Sequence, residues 1–325
     1  VMVCQGRNKS RWSDRSGQDL VVKVSDDSGK TWSKGKLVAT HGLKSICPNA
    51  AVYDRDTNTI HVLYNLFLWD YTNVPKAIRG ETGDLTCKPY VVTSGDERQT
   101  WSPPRDISAM VDTNASVMVV GSGEGIQLRH GPHKGRLIVA GGDFYKGKKV
   151  LCFYSDDHGK TWKRSEVVPF EGKMSWASES KVAEMPDGGL VLNSRTFVND
   201  GAETRLRTRT FSADGGVTWA KLENDPALKT VSCNGGLISV RDPKTGKTVL
   251  LCSVPVGPKR THGTVYVSFD GGKTWPRQKL VVPGAFAYSS LLALPDGQVG
   301  LFYETDGYRE IRLVRFSLGW VMGKG

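Results

Sequence analysis

The sequence predicts an all-β fold: a six-bladed β-propeller with four-stranded antiparallel blades. Three observations carry that prediction. A turn motif repeats along the chain, short β-branched runs separate the copies, and no helical period extends over a dozen residues. The motif is Ser-x-Asp-x-Gly-x-Thr-Trp, starting at Ser25, Ser94, Ser155, Ser212 and Ser268, at intervals of 69, 61, 57 and 56 residues. Such near-constant spacing marks one supersecondary unit copied along a chain.

Each copy reads as a turn. Asp27, Asp96, Asp157, Asp214 and Asp270 are placed to accept nearby backbone amides, and the glycine supplies a positive φ. Thr-Trp is expected to open the next strand with a large ring to bury. The second copy carries Arg98 in the glycine position. Strand-like runs occupy 20–24, 60–64, 137–140, 190–193, 237–240, 249–254, 264–268, 299–303 and 311–316. Turn signals such as Pro186-Asp187-Gly188-Gly189, Asp242-Pro243-Lys244-Thr245-Gly246 and Pro295-Asp296-Gly297 separate them. The repeat unit is long enough for four strands, which is a propeller blade. Five boxed units and a final unboxed one, near 283–320, make six blades. No linker or shift of composition divides the chain, so residues 1–325 read as a single domain.

Composition narrows the function classes. The 44 Lys and Arg outnumber the 33 Asp and Glu, for a net charge of +11. That excess fits either a solvated basic surface or a field that attracts anionic ligands. The basic residues are scattered, with no basic helix and no aromatic RNA-binding signature, which argues against nucleic acid. No run approaches the roughly 18 apolar residues of a membrane span. The six cysteines form no Cys-x-x-Cys pair, which argues against a zinc site. Cys152 and Cys252 lie in apolar runs and read as buried thiols, whereas a bridge between loop cysteines such as Cys47 and Cys87 stays open. Cysteine usage therefore leaves the compartment undecided. The sequence opens on Val1 rather than Met and shows no signal peptide, which leaves its natural start open.

Between the boxes lie Gly6-Arg7-Asn8-Lys9-Ser10 with Asp14, Gly123-Glu124-Gly125-Ile126-Gln127-Leu128, Asn193-Ser194-Arg195 and Ala287-Tyr288-Ser289-Ser290-Leu291. Together with the boxes, over nearly the whole chain, these resemble the exo-α-sialidase (neuraminidase) family of six-bladed propellers. The resemblance implies a retaining glycosidase that needs no metal or cofactor. Its partners would be sialylated glycoproteins, glycolipids or oligosaccharides, met outside the cell or in a periplasm. It implies nothing about oligomeric state.

The chemistry explains the residue types. A sialoside carries its carboxylate on the anomeric carbon, so a carboxylate nucleophile meets like-charge repulsion there, and sialidases use Tyr instead. A phenol with an ordinary pKa near 10 then needs a neighbouring base. By resemblance, Tyr288 is the nucleophile and Glu179 its base; a packed core tyrosine and a surface glutamate are the plain alternatives. The general acid is Asp14, eleven residues before Ser25, in preference to Asp19, which reads as a turn residue ahead of the run at 20–24. Arg7 resembles the arginine that holds substituents on the far side of the ring.

Arg195 and Arg260 resemble two of three arginines that clamp the substrate carboxylate, with Lys259 the register alternative to Arg260. In the family the third belongs to a Phe-Arg-Ile-Pro-like motif about two dozen residues upstream of the Gly6-Arg7 segment, and the sequence from Val1 onward does not contain that motif or its strand. Arg11 and Arg15 lie nearby, and nothing in the sequence prefers either as a substitute. Gln127 reads as a substrate contact or as a hydrogen-bonded strand-end glutamine. Cys47-Pro48-Asn49 stands where the family carries a polar residue followed by proline. Trp69, Asp70, Asp143 and Tyr145 fall on segments that line a glycerol or acyl pocket. His130, His133 and His158 read as loop histidines, and the box tryptophans and aspartates as scaffold. Two other readings stand beside hydrolysis: a sialic-acid-binding propeller without turnover, and a transferase or deaminated-sialic-acid-specific variant.

Overall fold

A computed structural model describes residues 1–7, 17–42, 44–67, 87–111, 117–119, 123–143, 149–171, 176–197 and 205–323. The chain forms two compact units, Val1–Val167 and Val168–Gly325. In the first lie β1 (Met2–Arg7), β2 (Gln18–Lys23), β3 (Lys36–Ala39), β4 (Ser45–Asp54), β5 (Thr59–Phe67), β6 (Cys87–Ser94) and β7 (Arg105–Asp106). A four-residue helix α1 (Ser108–Val111) follows, then β8 (Val117–Val119), β9 (Gly123–Glu124), β10 (Ile126–Gln127), β11 (Leu137–Asp143), β12 (Lys149–Ser155) and β13 (Lys163–Arg164). These strands make an eight-stranded and a five-stranded sheet. The larger one joins two antiparallel runs, β3-β2-β1 and β4-β5-β6-β7, through the parallel pair Gln18–Ser45, and β9 adds to β4 in parallel.

The second unit holds β14 (Trp176–Glu184), β15 (Leu190–Phe197), β16 (Arg205–Ser212) and β17 (Glu223–Thr230) as one four-stranded antiparallel sheet. A second comprises β18 (Gly236–Arg241), β19 (Thr248–Pro255), β20 (Thr261–Ser268) and β21 (Arg277–Ala285). The last has three strands, β22 (Ser289–Ala293), β23 (Gln298–Thr305) and β24 (Glu310–Ser317), capped by α2 (Leu318–Val321). The all-β expectation holds. The described residues show five sheets where the sequence predicts six, because the parallel pair merges the first two runs into one sheet.

Burial follows strand position. Strand β2 alternates, with Gln18, Leu20 and Val22 buried and the residues between them only partly so. Central strands β12 and β19 are buried on both faces from Val150 to Ser155 and from Val249 to Pro255, as expected of strands covered by neighbours on either side. One core cluster joins Ala50, Val52, Leu63, Val91 and Ile107 of the first sheet to Leu137, Val139, Leu151 and Phe153 of the second. In the second unit, Ala183, Val191 and Leu228 pack on Leu237, Leu250 and Cys252, and Leu251, Val265 and Val267 pack on Leu291, Leu301 and Phe316. Each buried aliphatic side chain is worth about 1.5–3 kcal/mol, and these three clusters each tie one sheet to the next. All six cysteines are free, so neither Cys47 nor Cys87 is bridged.

The boxes fold alike. In every copy the Thr hydroxyl donates to Asp Oδ2 at 2.5–2.7 Å and the Ser hydroxyl to Asp Oδ1 at 2.8–3.0 Å. The four glycines have φ between 77° and 87°, and Arg98 adopts 74° in the same place. Trp162, Trp219 and Trp275 are buried; Trp32 and Trp101 are half-buried. Thr-Trp does not open the next strand, which begins one to four residues later. The turn is still closing there: Ser33, Ser102 and Ala220 donate back to Val24, Thr93 and Phe211 at 2.8–2.9 Å.

Two boxes also anchor the preceding sheet. Arg105 donates to the carbonyls of Gly159 and Lys160 at 2.7 and 2.8 Å, and Arg209 to those of Gly272 and Lys273 at 3.0 and 2.6 Å. These are the same two positions of different copies. Asp225, fully buried, balances Arg209 at 3.5 Å and accepts from Trp275 Nε1 at 2.8 Å.

The box carboxyls are stabilised as anions. For Asp96 the Thr100 hydroxyl, helped by the Thr100 amide, holds the pKa down at about 2. For Asp157 burial pushes upward, but hydrogen bonds from Thr161 and Ser155 outweigh it and leave the carboxyl below its usual value. A folded-state pKa below the unfolded one means stability that is complete above the unfolded value and lost as pH falls through the folded one. Thermal unfolding is expected at progressively lower temperature as pH drops below about 4, the ordinary Asp range. Asp157→Ala, which strips these hydrogen bonds, is expected to cost about 2 kcal/mol at pH 7. Because the variant lacks that acid, its deficit against wild type should shrink towards pH 3; a constant deficit would contradict the linkage.

Candidate active site

Four sequence-predicted residues, Glu179, Arg195, Arg260 and Tyr288, meet within the second unit. Glu179 reaches the cluster through a β-bulge. Ala177 pairs with Thr196 and Ser180 with Ser194, so residues 178 and 179 together oppose Arg195. A bulge re-aims a side chain that regular alternation would send elsewhere. The inner residues around it are locked: the Ser180 hydroxyl donates to Ser194 Oγ at 2.7 Å, and both serines are fully buried.

Tyr288 stands just ahead of β22, with its backbone held by β23. Its carbonyl accepts from Glu304 N, and Ala287 N donates to Glu304 O, both at 2.9 Å. The following Ser289 hydroxyl lies 2.9 Å from Ser253 Oγ on β19. Arg260 lies in the loop before β20 between two left-handed residues, Lys259 at φ 58° and His262 at φ 56°. Its carbonyl accepts from Phe286 N at 2.9 Å. The arginine predicted for this loop is thus the one in the cluster, not Lys259.

The side chains interlock. The Tyr288 hydroxyl donates to Glu179 Oε1. Arg195 Nη1 donates to Glu179 Oε2 at 2.6 Å and to Tyr288 Oη at 2.8 Å. Arg260 lies with its guanidinium carbon 5.2 Å from the Tyr288 ring centroid, within cation–π range. It donates to Tyr308 Oη at 2.7 Å and to Ser232 O at 3.2 Å. Arg195 Nε also donates to Ser232, at Oγ, at 3.2 Å. Ser232 therefore spaces the two arginines.

Burial and charge set the electrostatics. Arg195 is 7 % exposed, and the Glu179 side chain 13 %. Burial pushes the Tyr288 phenol well above its ordinary pKa, the Glu179 charge pushes it further, and Arg195 pulls it back in part. Burial works against the Arg195 charge, but Glu179 and Tyr288 more than compensate and raise its pKa. Arg260 has no carboxylate ion partner among the described residues. The arrangement holds a neutral phenol against a carboxylate that can take its proton, beside two cations.

Three further residues shape the cluster and escape a sequence reading: Ser232, Tyr308 and Arg207. Arg207 is fully buried, donating to Asn193 Oδ1 and, at 3.2 Å, to Cys233 O. It thereby braces the strand that carries Arg195 and the segment that carries Ser232. The inward position in Arg205-Leu206-Arg207-Thr208 is its only sequence signal, and an Asp306-Gly307 turn signal precedes Tyr308.

The remaining candidates lie in the first unit or outside the described residues. Arg7 is partly buried at the end of β1, in register with Gln18. Asp19 is not a turn residue; it is a strand residue of β2 opposite Gly6. Asp14, Arg11, Arg15, Trp69, Asp70 and Tyr145 lie outside the described residues, as do the side chains of Pro48, Asn49 and Asp143. Gln127 is buried and committed internally. Its Nε2 donates to Asp54 at 2.7 Å and to Asp56 at 3.0 Å, and its Oε1 accepts from Arg55 N at 2.8 Å. His158 is more than a loop histidine, since its Nδ1 lies 2.8 Å from the fully buried Asp54 carboxylate. Asp54, Asp56 and His158 have metal-ligand chemistry, and Asp54 is already bonded to Gln127, Thr57 and His158.

Known proteins resemble this chain in sequence and in fold. The profile of the BNR repeat-like domain matches residues 11–301. The chain belongs to this family. A sialidase from Micromonospora viridifaciens is 34 % identical over 324 residues, covering 94 % of this chain and 47 % of that protein. Among solved structures, a Hadza microbial sialidase matches with a TM-score of 0.78 at 27 % identity, covering 94 % of this chain and 61 % of that one. A leech intramolecular trans-sialidase, complexed with 2,7-anhydro-Neu5Ac, matches in fold with a TM-score of 0.83 at 20 % identity, over 99 % of this chain and 67 % of that one. The chain thus spans about half the length of its Micromonospora relative. The fold is propeller-like, as in these sialidase structures.

In this BNR-repeat chain Phe286, two residues before Tyr288, packs closely on Gly263. A Cβ on Gly263 would lie 2.2 Å from Phe286 Cδ2, whereas one on Gly284 would meet nothing within 4 Å. Gly263→Ala is expected to lose about 1–3 kcal/mol by overpacking, with Gly284→Ala as the tolerant control. Urea unfolding of the two variants checks this, and equal midpoints would contradict it.

Proposed function

We propose that the chain carries an exo-α-sialidase site that hydrolyses terminal α-linked sialic acids with retention, through a tyrosyl intermediate. One observation carries the proposal: Glu179 holds the Tyr288 hydroxyl and Arg195 together, with Arg260 against the same phenol ring. A phenol with a raised pKa is a poor nucleophile alone and needs the adjacent base. In the first step Tyr288 Oη bonds to the anomeric carbon, its proton passes to Glu179, and the glycosidic C–O bond breaks. Asp14, assigned by resemblance, protonates the leaving oxygen. In the second step water replaces the tyrosyl oxygen with Asp14 as base, and the phenol recovers its proton from Glu179. Arg195 and Arg260 bind the sialic acid carboxylate, and Arg7 is assigned by resemblance to ring substituents. Gln127 is not given a role here, because its amide is engaged in the turn after β4.

The family match spans both compact units, and we read residues 1–325 as one propeller domain. Six blades would follow if the two antiparallel runs of the eight-stranded sheet are counted separately. Sialylated glycoconjugates are the substrates this reading calls for.

A second reading has its own support. An anhydrosialidase from Macrobdella decora is 34 % identical over 227 residues, covering 65 % of this chain and 28 % of that protein. In intramolecular transfer a hydroxyl of the bound sugar would replace water in the second step, and the product would lack one water.

Turnover of a fluorogenic α-sialoside is expected for wild type. Glu179→Gln is expected to lower kcat by about 10²–10⁴-fold, the usual contribution of a positioned base, and Tyr288→Phe at least as much. Proton NMR of the first-formed product should show the α-anomer for hydrolysis and the anhydro sugar for intramolecular transfer. Wild-type turnover by Tyr288→Phe would sink both readings.

A further inference from the structure

Arg195 and Arg260 are held in different ways. Arg195 is ion-paired to Glu179 at 2.6 Å. Arg260 is held by neutral acceptors: Tyr308 Oη takes its Nη1 and Ser232 O its Nη2. Its guanidinium carbon also lies 5.2 Å from the Tyr288 ring centroid and 5.9 Å from that of Tyr308. The acceptors fix both arms of the fork without cancelling its charge.

The backbone that delivers Tyr308 is costly. Asp306, Gly307 and Tyr308 are all left-handed, at φ 46°, 59° and 65°. For the two non-glycine residues this costs about 1–2 kcal/mol each. Strain of this kind persists where surrounding contacts hold it, and it clusters at ligand clamps. Among the contacts that Tyr308 makes is its hydrogen bond with Arg260.

We propose that Tyr308 is a positioning residue for Arg260, setting the selectivity of the site for a carboxylate-bearing sugar. This rests on the sialidase reading above. A phenol oxygen orients the fork as a carboxylate would, yet leaves its positive charge for the ligand. Removing the hydroxyl frees one arm of Arg260, so carboxylate recognition should suffer while the Tyr288–Glu179 pair keeps its own contacts.

The test uses the full chain and two variants, Tyr308→Phe and Tyr308→Asn; asparagine tolerates left-handed backbone and guards against misfolding of the first. Turnover of a fluorogenic α-sialoside is measured, together with calorimetric binding of an unsaturated sialic acid analogue and its uncharged methyl ester. A charge-assisted hydrogen bond contributes enough to predict a rise in KM of about 5–30-fold, with kcat changed by less than about threefold. The preference for acid over ester should fall by a similar factor, which a merely structural role would not produce. If wild type turns over and both folded variants keep KM and the acid-to-ester preference within about twofold, the role of Tyr308 is refuted and the sialidase reading stands. If wild type neither binds the acid nor cleaves the sialoside, the sialidase reading fails, and the role of Tyr308 falls with it.

Discussion

The site depends on one carboxylate shared between a cation and a phenol. Glu179 is largely buried, and a buried charge is tolerated only when paired and hydrogen-bonded. Arg195 meets that requirement and also donates to the phenol oxygen, so the three groups define one another's positions. Removing any one leaves another with an unmet buried polar group. That mutual dependence explains the supports around the cluster. Asn193 and Ser194 are buried on the strand beneath Arg195, Ser180 is bonded to Ser194, and Arg207 braces the strand from below.

The participating side chains come from three successive sheets, so their positions depend on how those sheets are joined. Core clusters supply the attraction between neighbouring sheets but little direction, because the hydrophobic effect is non-directional. Direction comes from polar ties. Arg209 reaches from one sheet to the box of the next, and Ser253 and Ser289 meet across the next junction. The box is suited to this role because its own hydrogen bonds make it rigid while two of its carbonyls still point outward. A repeated turn therefore serves as a mounting point as well as a way to reverse the chain.

Much of this was legible in the sequence, for identifiable reasons. Eight of the nine apolar runs lie wholly in strands and the run at 20–24 overruns β2 by one residue, since β-branched clusters between turn signals leave few alternatives. Strands with polar or proline-bearing sequences were not legible. Strand β4 contains Pro48, β6 contains Pro89, and β14 reads Trp-Ala-Ser-Glu-Ser. Merging of the first two runs rests on one parallel pair, Gln18–Ser45, which has no local signature. Glu179, Arg195, Arg260 and Tyr288 were reached by family resemblance; the spacing of these residues alone predicts no contact among them. Ser232, Arg207 and Tyr308 escaped because their roles arise from contacts across many residues. Tyr308 and Arg260, for example, are 48 positions apart.

The charge of the cluster follows from how each group is paired, not from the composition of the chain. With Tyr288 neutral, the charges of Arg195 and Glu179 offset each other, and Arg260, beside the phenol, adds a positive charge with no carboxylate partner among the described residues. One bound carboxylate would cancel that charge, whereas a neutral sugar would leave the guanidinium partly desolvated and unmatched. An oxocarbenium-like transition state also gains positive charge at the anomeric carbon. Two fixed cations would oppose that build-up if they faced the carbon directly. A carboxylate on that carbon lies between the opposing charges and screens one from the other. On the proposed sialidase reading the arginines would therefore hold the substrate without penalising its reaction, provided that they grip the carboxylate and not the ring. That condition is geometric, and it is why the orientation of an arginine held only by neutral acceptors matters as much as its charge.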